Sequence, residues 1–159
     1  MAQTEPEVKA PANSKTDFSE DVAAIRKMIA ESDDAWNRRD SKTVTAHAAE
    51  NHDHISVIGE WRQGKAETDK AFTAALATTR NNVSSSIAKI RFITPEVAIV
   101  IVRRQYTNDK EALKSISTSV LHKMKGEWWN EAFQNTYIQT PANNSTGTPA
   151  GHGRPETIH

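Results

Sequence analysis

Phe18, Val22, Ile25, Ile29 and Trp36 recur at intervals of three, four and seven residues, with Arg26, Lys27, Glu31 and Asp34 between them. That spacing predicts an amphipathic helix over about 18–38, because it keeps the apolar side chains on one stripe. Asp17 and Glu20 stand where a capping box would start it. Asp40 or Ser41 is placed to cap a shorter second helix through Val44, Ala46, Ala48 and Ala49. The β-branched stretch from Asp53 to Gly59 predicts a strand, and 65–77, with Ala71, Phe72, Ala75 and Leu76, a third helix. The character then changes. Four extended runs, 85–93, 97–107, 115–124 and 128–138, are separated by turn signals at Thr94-Pro95, Asn108-Asp109 and Lys125-Gly126. Short connections between successive strands predict antiparallel pairing, and the whole predicts one α+β domain over 18–139.

Composition narrows the chemistry more than the shape. With 159 residues, there is room for a single ordinary core. Twenty Lys plus Arg balance twenty Asp plus Glu, so no net basic field exists to gather nucleic acid or an anionic membrane. The longest apolar run, 97–102, is far short of the ~20 residues a membrane-spanning helix needs. Absence of cysteine removes disulfides, thiolate nucleophiles and Cys-ligated zinc. Residues 1–17 have no apolar signal-peptide core and read as a disordered lead, and 140–159, rich in Pro, Gly and Asn, as a flexible tail. A cytoplasmic protein is the expectation, and an exported one whose leader has been removed is the alternative. None of the six glycines has the spacing of a nucleotide-binding loop, and Ser84 to Ser86 lack a nucleophile elbow.

The element order, with Ala35-Trp36-Asn37-Arg38-Arg39-Asp40, Gly59 to Gly64, Pro95-Glu96-Val97-Ala98 and Trp128 through Gln134-Asn135-Thr136, resembles the SgcJ/EcaC type of SnoaL-like proteins, within the nuclear transport factor two-like superfamily. The resemblance spans about 21–136. It implies a cystatin-like cone: three N-terminal helices wrapped by a strongly curved sheet, a pocket at the open end, and a homodimer through the outer sheet face. Relatives on this scaffold include isomerases, cyclases, dehydratases and association modules, so the fold leaves the reaction open. Where ketosteroid isomerases carry a first-strand carboxylate base, this chain has Ser56. Where they have a phenolic donor on the first helix, it has Asp33.

Strand alternation puts His54 with Ser56, Thr118 with His122, and Asn130 with Gln134, each on one face. If those faces line the cone, His54, Ser56, His122, Asn130 and Gln134 converge on one cavity. His54 and His122 are then the acid/base candidates, because imidazole exchanges protons near neutral pH. Either could equally be exposed or tied to a backbone carbonyl. His52 and His54 share a strand side, but no metal signature brackets them, and no metal or other cofactor is expected. Trp36 belongs to the helix stripe. Trp61 falls near the expected pocket mouth, as a ligand contact or as rim packing. Arg103 and Arg104 point to opposite faces. Arg103 is taken as the ligand-binding one, although alternation leaves the choice open. Trp129, Phe133 and Tyr137 alternate with the pocket set and are assigned to the outer, dimer-forming face. The function expected is a homodimeric binder of a small apolar or mixed-polarity molecule, with or without cofactor-free isomerase, cyclase or dehydratase chemistry. A non-catalytic association module is the alternative.

Overall fold

A computed structural model describes residues 4–139. In chain order these form β1 (Glu7–Lys9), α1 (Ser19–Asn37), α2 (Ser41–Val44), β2 (Ala48–Ile55), β3 (Trp61–Gln63), α3 (Gly64–Thr78), β4 (Asn82–Thr94), β5 (Val97–Thr107), β6 (Ala112–Met124) and β7 (Glu127–Tyr137). The strands make one seven-stranded sheet in the order β1-β4-β5-β6-β7-β2-β3. The fold is α+β and cystatin-like, with helices packed against the sheet.

The sheet is mixed. β4 to β7 run antiparallel as expected from their short turns, but β2 joins β7 in parallel and β1 joins β4 in parallel. β1 lies inside the segment expected to be a disordered lead, and Glu7 pairs Lys89 across the edge at 3.1 Å. The expected tail falls outside the described residues. Three of the four departures from the predicted elements share a cause, since backbone pairing outweighs local propensity. α2 stops at Val44 and not at Ala49, because the His47 carbonyl accepts from the Asn130 N–H at 2.8 Å and Ala48 enters β2. β2 therefore begins earlier than predicted and ends at Ile55, where Ser56 to Gly59 make a turn and Gly59 takes φ +84°. β3, where no strand is predicted, pairs antiparallel with β2. At the start of α1 the N-cap position is Phe18; Asp17 accepts from the Ser19 N–H at 2.9 Å instead of closing a capping box.

Curvature has identifiable sources. Ile87 faces Val102 and Lys89 faces Ile101, so Ala88 is an extra residue in β4; Leu121 faces Asn130 and Val120 faces Ala132, so Glu131 is an extra residue in β7. Each bulge bends its strand and reverses which alternate residues face inward. The sheet so bent closes on α1, and Phe18, Ile25, Ile90, Phe92, Ala98, Val100, Val102, Leu121 and Trp128 form the core between them. Phe18 stacks on Phe92 with ring centroids 4.1 Å apart. The Trp128 indole donates to Asp21 at 3.0 Å, and Lys123 donates to the same oxygen at 2.7 Å, tying α1 to the sheet at this end.

The opposite end of α1 is fixed by the Trp36-Asn37 pair. Trp36 donates from its indole to the Asn81 carbonyl at 2.9 Å. The Asn37 amide donates to the Val83 carbonyl at 3.0 Å and accepts from the Val83 N–H at 2.8 Å, standing in for a neighbouring strand at the start of β4. Arg39 takes φ +63°, and Asp40 caps α2 through the Thr43 N–H at 3.1 Å. The motif that carried the family resemblance thus has a structural task in positioning α1 over the sheet.

Candidate functional site

Between α1, α3 and the inner sheet face lies a cavity of about 360 Å³. That is near the small end of the ~300–1,000 Å³ typical of ligand pockets. Met28, Ile29, Trp36, Phe72, Val100 and Leu121 supply its apolar wall. Its polar lining includes Arg104 on β5, Ser119 on β6, and Asn130 and Asn135 on β7; behind it Arg104 pairs in register with Ser85 on β4 and Ser115 on β6, and Asn135 with Ser117 on β6. Asp33 enters from α1.

Asp33 accepts a hydrogen bond from the Ser85 hydroxyl at 2.7 Å. Burial raises its pKa above the ordinary carboxylate range, against the opposing pull of that hydrogen bond and of Arg104. Arg104 donates to Ser117 and lies over Phe133, 5.3 Å from the ring centroid. Burial pulls its pKa down, and Asp33 and Tyr106 partly offset this. Among the described residues no carboxylate comes within ion-pair distance of Arg104.

His54 stacks on Phe133 (4.7 Å) and meets the edge of Phe72 (5.3 Å). Burial, with the positive charges of Arg62 and Arg104 nearby, pushes its pKa down to about 3, so the ring is neutral at pH 7. Neither of its nitrogens has a hydrogen-bond partner among the described residues. His52, beside it, has a pKa lowered by burial. Its Nδ1 lies 2.8 Å from the Asn130 carbonyl; that oxygen only accepts, so Nδ1 carries the proton. Among the described residues no group of three His, Asp or Glu gathers to hold a metal.

The expected residues are divided by the structure. His54, Ser56 and Asn130 line the cavity. Ser56 does so at the β2–β3 turn, where its hydroxyl accepts from the Glu60 N–H at 3.2 Å. Asn130 has an Oδ1 that is buried without a hydrogen-bond partner. His122 does not reach the cavity. It follows Leu121, whose side chain is in the core, so it points to the outer face, 3.3 Å from Glu131. Gln134 is also exposed on the outer face, because the extra residue Glu131 reverses β7's alternation after Asn130. The same reversal turns Phe133, Asn135 and Tyr137 inward to the cavity, against the expectation that Phe133 and Tyr137 cover the outer face. Arg103 is exposed, whereas Arg104, in phase with buried Val100 and Val102, is the inward arginine. Trp61 is 60 % exposed and donates to Asp53 at 2.8 Å, away from the cavity.

Residues that the sequence does not by itself assign to the site do carry signals. Asp33 sits between Ile29 and Trp36 at offsets of four and three, a carboxylate on an apolar helix stripe. Ser115, Ser117 and Ser119 alternate with Ile116, Thr118 and Val120, which marks a polar face on β6. That face is the inner one.

No family model matches the sequence, and no curated protein matches it. Solved structures do match. A cystatin-like domain of unknown function from Nostoc punctiforme PCC 73102 is 24% identical over 77% of this chain and 80% of that one, with a TM-score of 0.72. A ketosteroid isomerase-like protein from Erwinia carotovora atroseptica SCRI1043 is 18% identical over 77% and 100%, with a TM-score of 0.68. A scytalone dehydratase-like protein from Novosphingobium aromaticivorans DSM 12444 is 15% identical over 85% and 96%, with a TM-score of 0.64. At these identities the likeness establishes the cystatin-like, nuclear transport factor two-like fold. Among the described residues no helix is long and apolar enough to cross a membrane.

Proposed function

We propose that this chain binds a compact small molecule of mixed polarity in the cavity and moves a proton on it, in an isomerase-, cyclase- or dehydratase-type step. The observation that carries the reading is the pair Asp33 on α1 and His54 on β2, two titratable groups lining one cavity whose environments shift them in opposite directions. Burial makes Asp33 a carboxylate that takes up a proton more readily than usual. His54 is a neutral imidazole with both nitrogens uncommitted, suited to donate to an oxygen that gains charge. For a β,γ-unsaturated ketone, the Asp33 carboxylate would remove the α-proton, the His54 N–H would stabilise the dienolate oxygen, and Asp33 would return the proton to the γ-carbon. The isomerase-like and dehydratase-like names among the structural neighbours are in keeping with such chemistry. This assignment replaces the expected pair His54 and His122 with His54 and Asp33.

The test is conversion of β,γ-unsaturated cyclic ketones to conjugated enones, followed by ultraviolet absorbance. Asp33→Asn should lower turnover by about a hundredfold or more, the usual weight of a general base. Equal turnover in Asp33→Asn and wild type would remove the mechanism.

The reading includes a homodimer. Half-buried Ile99, Ile101, Ile116, Val120 and Ala132 adjoin on the outer sheet face, the kind of apolar surface that a second copy covers. Light scattering should give twice the chain mass for the wild type and the single-chain mass for Val120→Lys. A single-chain mass for the wild type would contradict it. The Trp36-Asn37 and Gln134-Asn135-Thr136 elements support placing the chain with the SgcJ/EcaC type of SnoaL-like proteins.

A further inference from the structure

We infer that the cavity's ligand is a small planar carboxylate whose anionic group is seated on Arg104, an inference that rests on the binding reading above and names its ligand class. A guanidinium has five N–H donors in a planar fork that matches a carboxylate. Here its partners among the described residues use little of that capacity: one donation to the Ser117 hydroxyl and the face of Phe133. A cation enclosed in this way is costly unless it is paired.

Groups beside Arg104 suit an anion. The Tyr106 hydroxyl accepts from the Asn135 amide at 3.3 Å, which leaves its own proton available for donation. Tyr106 and Asn135 both line the cavity with Arg104. The Asn135 Oδ1 is buried without a partner; if the amide is turned over, it accepts from Tyr106 and presents its N–H₂ group instead. Asp33 is the carboxylate whose charge bears on Arg104. It is held by Ser85, not by Arg104, so the guanidinium fork is left to the ligand.

The remaining walls select the body of the ligand. Trp36, Phe72, Phe133 and the neutral His54 ring present flat apolar surfaces, and Trp36 meets both Phe72 (6.1 Å) and Tyr106 (5.7 Å). A single ring carrying a carboxylate fits that shape and the volume of about 360 Å³.

Benzoate and benzamide form the discriminating pair, being nearly equal in shape and different in charge. Isothermal titration of the full chain should show benzoate binding at least about tenfold tighter than benzamide, the scale of one charge-assisted hydrogen bond. Arg104→Met should abolish that preference, and Arg104→Lys, which keeps the charge but loses the fork, should retain part of it. Far-ultraviolet circular dichroism checks that both variants fold, and either folded variant suffices for the comparison. Equal binding of the two probes by wild type, or a preference for benzoate that survives in Arg104→Met, would overturn the carboxylate assignment and leave the cavity reading standing. Binding of neither probe would overturn the carboxylate assignment for single-ring acids. The cavity reading would fall separately, if neutral ring compounds such as indole and cyclohexanone also failed to bind.

Discussion

The two ends of the inner sheet face are built from the same strands and filled in opposite ways. At the closed end, Phe92 on β4, Ala98 on β5 and Trp128 on β7 pack in one core with Phe18 and Ile25, and the indole of Trp128 donates to Asp21. At the open end, inward positions farther along the same strands are Ser85, Arg104, Ser117 and Asn135; Arg104 and Asn135 line the cavity with Asp33, which accepts from Ser85. Polar satisfaction differs as sharply. Among the described residues, the buried side-chain oxygens that lack a partner are on Ser115, Asn130 and Asn135, all on β6 and β7. A protein selected only for stability gains nothing from such a band, because buried polar groups without partners cost about 1–3 kcal/mol each. The contrast is the ground for the proposed site: one end is packed and the other is polar and open.

The largest effect that would test this division is at the closed end. Phe92→Ala removes a ring that is 2 % exposed and stacked on Phe18, and should cost about 3–5 kcal/mol in urea unfolding. A loss below about 1 kcal/mol would mean that this end is not the core.

Next in size is pH dependence. His54 titrates near 6.5 when unfolded and about 3 when folded, so between those values the unfolded chain binds more protons. Its contribution to stability is complete above pH 6.5 and is lost as pH falls towards 3. The slope from this one group reaches at most ~1.4 kcal/mol per pH unit. His52 acts in the same direction, and Asp33, with its raised pKa, acts in the opposite one. His54→Phe should flatten the decline between pH 6 and pH 4 in denaturant midpoints; an unchanged slope would show that His54 is solvated in the folded state.

Smallest is His122→Ala. The side chain is 40 % exposed and outside the cavity, so stability should change by less than about 0.5 kcal/mol and probe binding by nothing measurable. A binding defect would put His122 back in the site.

How much of this was legible in the sequence follows the same division. The α1 stripe, the four long strands and their antiparallel order were readable, because apolar periodicity reports burial directly. The site was read less well. Alternation says which residues share a face, but it assigns that face to the interior only when the interior is the more apolar side. On β6 it is not: Ser115, Ser117 and Ser119 face in, while Ile116 and Val120 face out. His122 was placed inside for that reason. On β7 alternation itself breaks at Glu131, a change of register that no local composition announces, and Gln134 and Phe133 exchanged sides with it. His54 was legible because β2 keeps its period from His52 onward.

The most direct test of the division is a ¹H–¹⁵N spectrum of the full chain titrated with sodium benzoate. The division predicts shifts concentrated at the open end, in the Trp36 indole, the Asn130 and Asn135 side-chain amides and the Arg104 Nε–H, with the Trp128 indole unmoved. Shifts of Trp128 as large as those of Trp36, or shifts confined to outer-face residues such as Gln134, would contradict it.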